Sequence, residues 1–260
     1  MIKTIHHIKS AYLSRTVQLE IYLPQNLLGN EQLHLLLLND GQDAEALHLQ
    51  ETLNTLHQQH KIKPLLTVAI KASEDRLQEY GVAGRPDFKG RGSKAGAYTD
   101  FVIKELLPFV EKAISHKVTG SRAIAGFSLG GLSAFDIAFN NPRHFDQAGI
   151  FSGSFWWRKK DLADGYTDDD RILHAMVGES KIKPDVKFWL MTGTEDETAD
   201  RNQNGIIDSI DDTVDVVKAL KVLGFRKPED VFYYEMVGGQ HNPESWSEAL
   251  PAFLIWAFKF

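Results

Sequence analysis

From residue 33 onward the chain alternates short apolar runs with helical patterns, and this alternation narrows the fold more than any other feature. The runs Leu33–Asn39 and Leu65–Ile70 are nearly free of charge and bounded by turn residues. Such runs are expected of strands buried on both faces. Further strand-like runs cover residues 122–127, 148–152, 186–191 and 231–236, with helical patterns over 44–59, 98–115, 129–139, 211–223 and 244–258. A strand followed by a helix and then another strand calls for a crossover connection. The expectation is therefore an α/β fold with a mainly parallel sheet covered on both faces. Residues 5–13 and 16–23 alternate instead, with Ser14-Arg15 between them, and read as an antiparallel amino-terminal pair. The sheet should hold about eight strands in all.

No repeat, low-complexity tract or linker interrupts this order, so residues 1–260 read as a single domain. The chain carries 29 Lys+Arg against 35 Asp+Glu, a formal net charge of −6, and the basic residues gather nowhere. A surface that tracks nucleic-acid phosphates is not expected. Cys is absent, which removes disulfides, thiolate chemistry and Cys-based zinc sites. The longest apolar run, Leu35 to Leu38, is far too short to span a bilayer, and the opening MIKTIHHIKSAYLSR lacks the apolar stretch of a signal peptide. A soluble, cytoplasmic protein without membrane partners is the expectation. Residues 72–97, rich in Gly and charge, read as a long loop across the mouth of a site.

Gly126-Phe127-Ser128-Leu129-Gly130 is the chain's one G-x-S-x-G match, and it lies between the strand-like RAIAGF and the helical LGGLSAFDIAF. This context is what a nucleophile elbow needs: a sharp strand–turn–helix reversal lifts the Ser128 hydroxyl above the sheet. The flanking glycines let neighbouring backbone pass, and the Leu129 N–H can stabilise an oxyanion. The bland alternative is a Gly/Ser turn with Ser128 as a helix cap. A base and an acid should follow in the order Ser, Asp/Glu, His. His241 fits, lying between the strand VFYYEMV and the last helix, whereas His57 and His60 share a solvated helical face and His6, His7 and His34 fall within strands. In FWLMTGTEDE, Asp196 is chosen as the acid, with Glu195 the main rival and Glu197 behind it. The second oxyanion donor should come from the loop Asn39-Asp40-Gly41-Gln42-Asp43, with the Gln42 N–H preferred; a plain turn capped by Asp43 is the alternative.

These segments resemble the putative-esterase family of α/β-hydrolases, which includes enterochelin-esterase-like and esterase-D-like enzymes. The likeness runs through SRTVQLEIYLP, LLLLNDGQD, AYTDFVIKELLPFVEK, AGFSLGGLSAF, FSGSFWW and GGQHNPESW, of which AGFSLGG and GGQHNPESW are the most specific. It implies an α/β-hydrolase fold and a serine carboxylesterase acting on a small-molecule ester through an acyl-enzyme, with Ser128, His241 and Asp196 as its triad. Some siderophore-esterase relatives manage with a Ser–His pair. No cofactor is required for that chemistry. An acyltransferase on the same fold would keep these residues, and a non-catalytic binding protein on a hydrolase scaffold would be expected to lose one.

Two further segments carry expectations. In Phe155-Trp156-Trp157, Trp157 is expected to wall a substrate pocket, with core packing beneath the loop as the alternative. Residues 200–211 follow the spacing of an EF-hand-type loop: Asp200, Asn202, Asn204, the Ile206 carbonyl, Asp208 and Asp211 as oxygen ligands, with Gly205 at the turn. The segment resembles dockerin-like calcium loops, and structural calcium is expected there. An Asn-Gly turn followed by a capped helix is the bland account.

Overall fold

The computed structural model describes residues 1–25, 27 and 31–260. Its centre is one eight-stranded sheet in the order β1-β2-β4-β3-β5-β6-β7-β8. The strands are β1 (Ile2–Ser10), β2 (Arg15–Leu23), β3 (Leu33–Asn39), β4 (Leu65–Ile70), β5 (Val118–Phe127), β6 (Gln147–Phe151), β7 (Lys187–Glu195) and β8 (Val231–Gln240). The six strands from β4 to β8 in sheet order run parallel, while β2 pairs antiparallel with both β1 and β4. The expected α/β-hydrolase architecture is thus present, with its antiparallel amino-terminal pair.

The helices are α1 (Leu49–Gln58), α2 (Arg76–Glu79), α3 (Ala95–Asp100), α4 (Leu107–Ala113), α5 (Leu129–Asn140), α6 (Ile172–Glu179), α7 (Asp208–Val222) and α8 (Pro243–Phe258). Side chains alternate across a strand, and the core divides accordingly. Leu35 and Leu37 of β3 and Phe188 and Leu190 of β7 pack on the face covered by the α3–α7 layer. Leu36, Leu38, Trp189 and Met191 pack on the opposite face, beneath α1 and α8. That two-sided burial explains why β3 and β4 read as continuous apolar runs rather than alternating ones.

Several boundaries differ from the sequence reading. The first helix starts at Leu49, not 44, because Gly41–Asp43 forms a 3₁₀ turn and His48 adopts φ 48°. The pattern over 98–115 is realised as α3 and α4 joined by a π-helical segment, Phe101–Leu106. The expected long loop at 72–97 contains α2 and the start of α3, and α6 went unread. Among the described residues no helix is long and apolar enough to cross a membrane.

The connection from β4 to β5 passes β3, so the chain reverses its direction of travel across the sheet there. The carboxyl ends of β3 and β5 lie at this reversal, the usual ligand position in open α/β sheets. Close approach of α8 to the sheet depends on Gly149 in β6: a Cβ there would overlap the ring of Phe253, which is fully buried. Gly149→Ala should therefore overpack the interface and cost about 1–3 kcal/mol. Urea denaturation should show this as a lower midpoint with an unchanged slope.

Candidate active site

Ser128 sits at the carboxyl end of β5, immediately before α5, with φ 52° and ψ −120°. A non-glycine residue in that region is strained and persists only where its surroundings enforce it. Here the enforcement is explicit. The Ser128 N–H donates to the Phe151 carbonyl (2.9 Å), and the Ser128 carbonyl accepts from the N–H groups of Gly131, Leu132 and Ser154 (3.1 Å each). A Cβ on Gly126 would overlap the Gly130 backbone, and one on Gly130 would overlap the Asp40 carboxylate. Both glycines are thus required by close approach. Asn39 ties β3 to the same turn by donating its Nδ2–H to the Gly130 carbonyl (2.8 Å) while its Oδ1 accepts from the Tyr98 hydroxyl (2.7 Å).

The loop after β3 therefore lies against the elbow. Asp40 is buried and held at φ 62°. Its carboxylate accepts two bonds from the Arg76 guanidinium (2.6 and 2.9 Å), and Arg76 reaches the Phe127 carbonyl as well (3.5 Å). The Gln42 side chain donates to Asp40 and accepts from the Ala72 N–H, which fixes the 3₁₀ turn carrying the Gln42 backbone. The Leu129 N–H belongs to the first turn of α5, where helix geometry leaves N–H groups without an intrahelical acceptor.

Strands β7 and β8 bring the remaining groups to the same edge. Asp196 follows β7, is only 9% exposed, and accepts from the Gly193 N–H and the Ser152 hydroxyl (3.0 Å each). The Ser152 hydroxyl in turn accepts from the Trp246 indole N–H (3.0 Å). His241 follows β8 and lays its ring edge-on to Trp246, centroids 5.2 Å apart. Burial raises the Asp196 carboxyl, against the lowering by its two hydrogen bonds and by the charge of His241. For His241, burial lowers the imidazole and Arg76 lowers it further, while Asp196 raises it; the outcome is below the ordinary histidine value. Of the three carboxylates, Asp196 is the one whose charge acts on His241. Glu195 is exposed and bonded by the Gln240 amide (3.2 Å), and Glu197 accepts from the Ser209 backbone in the first turn of α7.

Trp157 is not a pocket wall. Its side chain is fully buried, its indole N–H donates to the Arg85 carbonyl (3.1 Å), and Gly81 and Gly92 leave the room its ring occupies. It is core beneath the 72–97 segment, because the chain after β6 turns inward at Phe155 and Trp157. The neighbouring Trp156 is half-buried under the Arg91 guanidinium, 4.9 Å from its ring.

In the 200–211 segment, Asp200 accepts from the N–H groups of Asn204 and Gly205, and Asp211 accepts from the side-chain amides of Asn202 and Asn204. These four side chains converge. Asp208 instead faces Arg201, accepting its N–H (2.9 Å) and pairing with its guanidinium (3.4 Å), and Ile206 donates its own N–H to Asn204 (2.8 Å). Among the described residues no group of three or more His, Cys, Asp or Glu side chains is arranged to hold a metal ion.

Sequence reasoning missed Ser152, Ser154, Arg76 and Trp246. Ser154 is buried and places its Oγ 3.2 Å from Ser128 Oγ. The FSGSFWW segment singled out the neighbourhood, but a serine in a turn carries no sign of what its hydroxyl meets.

The model of the putative esterase family matches residues 10–257. Two Bacillus subtilis proteins of unassigned role are similar in sequence. YjcH is 24% identical over 243 residues, covering 91% of this chain and 89% of its own, and YbbA is 31% identical over 117 residues, covering 41% and 44%. The fold is shared with an enterobactin esterase from Shigella flexneri (TM-score 0.77, 19% identity), where the alignment covers 99% of this chain but only 58% of that one. It is shared too with a ferulic acid esterase (TM-score 0.71, 19% identity, 99% and 97% covered) and an IroE-like serine hydrolase from Shewanella oneidensis (TM-score 0.68, 19% identity, 98% and 79% covered). A family match across nearly the whole length, on an α/β-hydrolase sheet, leads to one conclusion: the chain belongs to the putative esterase family.

Proposed function

We propose that the chain is a serine carboxylesterase working through an acyl-enzyme, with Ser128 as nucleophile, His241 as base and Asp196 as acid. The observation that carries this reading is the strained Ser128 elbow at the sheet's carboxyl edge, where β7 and β8 also deliver Asp196 and His241. In this mechanism Ser128 Oγ attacks the ester carbonyl and His241 takes its proton. The imidazolium then protonates the departing alcohol, and water, activated by the same imidazole, releases the acid. Asp196, anchored by Gly193 and Ser152, orients the imidazole and stabilises its charged form. The N–H groups of Leu129 and Gln42 are the proposed oxyanion donors. The substrate is a small-molecule ester, as the names of the enterobactin and ferulic acid esterase neighbours suggest.

A fluorophosphonate probe should label the folded protein, and Ser128→Ala should abolish both labelling and ester hydrolysis. A folded wild type that stays unlabelled would overturn the reading. Asp196→Asn should keep the labelled serine but lower kcat on the order of 10³- to 10⁴-fold, since the wrong imidazole tautomer then faces the nucleophile.

The pH dependence follows from the lowered His241 value. Attack needs the neutral imidazole, so activity is lost as pH falls through its pKa and is retained above it. Because burial and Arg76 depress that pKa, the acid limb of kcat/KM should lie below the ordinary histidine value of 6.5. A limb centred above it would contradict the electrostatics described here.

Structural calcium in the 200–211 loop is a separate proposal, supported by the convergence of Asp200, Asn202, Asn204 and Asp211. Calcium bound only by the folded state should raise the Tm of chelator-treated protein, and Asp200→Ala should abolish the rise. No heat of binding by calorimetry and an unchanged Tm would make the loop a hydrogen-bonded turn alone.

A further inference from the structure

We propose that Ser154 is a further catalytic residue, donating a hydrogen bond to Ser128 Oγ as negative charge develops on it. This rests on Ser128 being the nucleophile. Ser154 is 2% exposed, and its Oγ lies 3.2 Å from Ser128 Oγ. Its backbone is fixed at both ends: the N–H donates to the Ser128 carbonyl (3.1 Å), and the carbonyl accepts from the Trp157 N–H (3.3 Å). The hydroxyl is thus held against the nucleophile by the same contacts that hold the elbow.

A hydroxyl has one proton to donate and two lone-pair sites. When Ser128 gives its proton to His241, it has none left for Ser154, and the bond between the two hydroxyls must then run from Ser154 to Ser128. In attack, the Ser128 O–H bond breaks, its proton passes to His241, and the bond from Oγ to the ester carbon forms. Ser154 keeps its own proton throughout and stabilises the alkoxide character of Oγ. In the acyl-enzyme, Oγ is an ester oxygen and a weak acceptor, so the contact slackens. When water attacks and the Oγ–carbon bond breaks, charge returns to Oγ and the Ser154 bond strengthens again. The interaction is therefore stronger in both transition states than in the states between them, which is the condition for raising kcat.

The neighbouring Ser152 serves a different partner. Its hydroxyl is committed to Asp196 as donor and to Trp246 as acceptor, so it acts through the acid. Ser154 touches the reacting atom itself.

The test compares wild type, Ser154→Ala and Ser154→Cys, reading fluorophosphonate labelling rate, steady-state kinetics on a short acyl ester, and Tm. A hydrogen bond to a charged acceptor corresponds to a fall of roughly 10- to 100-fold in kcat and labelling rate. KM and the acid limb of the pH profile should stay in place, because neither substrate contacts nor His241 are altered. Cysteine fills the site with a larger, weakly donating sulfur, so Ser154→Cys should lose at least as much as Ser154→Ala. Restoration of the wild-type rate by cysteine would mean that packing, not donation, is what Ser154 supplies, and would overturn the proposal. So would wild-type rates in a folded Ser154→Ala. In both cases a labelled wild type leaves the Ser128 reading standing, whereas an unlabelled wild type removes both.

Discussion

The backbone of Ser128 is the constraint on which the remaining structure turns. A side-chain-bearing residue at φ 52° and ψ −120° relaxes unless several elements hold it, and here four do. β6 supplies the Phe151 carbonyl, the loop after β6 supplies the Ser154 N–H, α5 supplies the N–H groups of Gly131 and Leu132, and β3 supplies Asn39. Gly126 and Gly130 flank the serine because a Cβ on the first would overlap the Gly130 backbone and one on the second would overlap the Asp40 carboxylate. The strain is balanced by the packing of the parallel sheet, so the core and the site are one structure rather than a scaffold with a site attached.

Electrostatics at the sheet edge follow from the same crowding. Asp40 is buried beside the elbow and is compensated by the Arg76 guanidinium, which also stacks over Tyr80 at 5.2 Å. A buried carboxylate stripped of such a partner would be costly, so the pair is needed for Asp40 to sit there at all. Burial holds the His241 imidazole below its ordinary value, Asp196 favours its protonated form, and the positive charge of Arg76 adds a smaller push toward the neutral one. The base is thus set between two opposing charges. Its proton affinity is lowered in the resting site, and in the proposed mechanism Asp196 would stabilise the cation once the proton arrives.

Much of this was legible in the sequence, and the parts that were not share a cause. β3 and β4 read with their observed bounds because continuous burial on both faces leaves an unbroken apolar run. Ser128, Leu129 and the turn at Gln42 read because an elbow needs a strand, a helix and small residues in fixed order. The start of α1 was placed five residues early because His48 turns left-handed inside an otherwise helical pattern, a choice made by tertiary packing. Trp157 read as pocket wall because an aromatic near the nucleophile can face either way; only the positions of Gly81 and Gly92, far away in sequence, decide that it faces inward. Arg76 lay in a stretch read as loop, and its partner Asp40 is 36 residues away.

The segment after β6 shows how one short turn serves two ends of the site. Ser152 takes a left-handed φ of 46°, which breaks the alternation a strand would impose. In a continuing strand, Ser152 and Ser154 would point to the same face of the sheet. With the turn between them, Ser152 faces Asp196 and Trp246, and Ser154 faces Ser128. Gly153 permits this reversal because a Cβ there would press against Ile150 and Phe155. Two hydroxyls of the same chemistry, two residues apart, thereby reach Asp196 and Ser128 from one backbone bend.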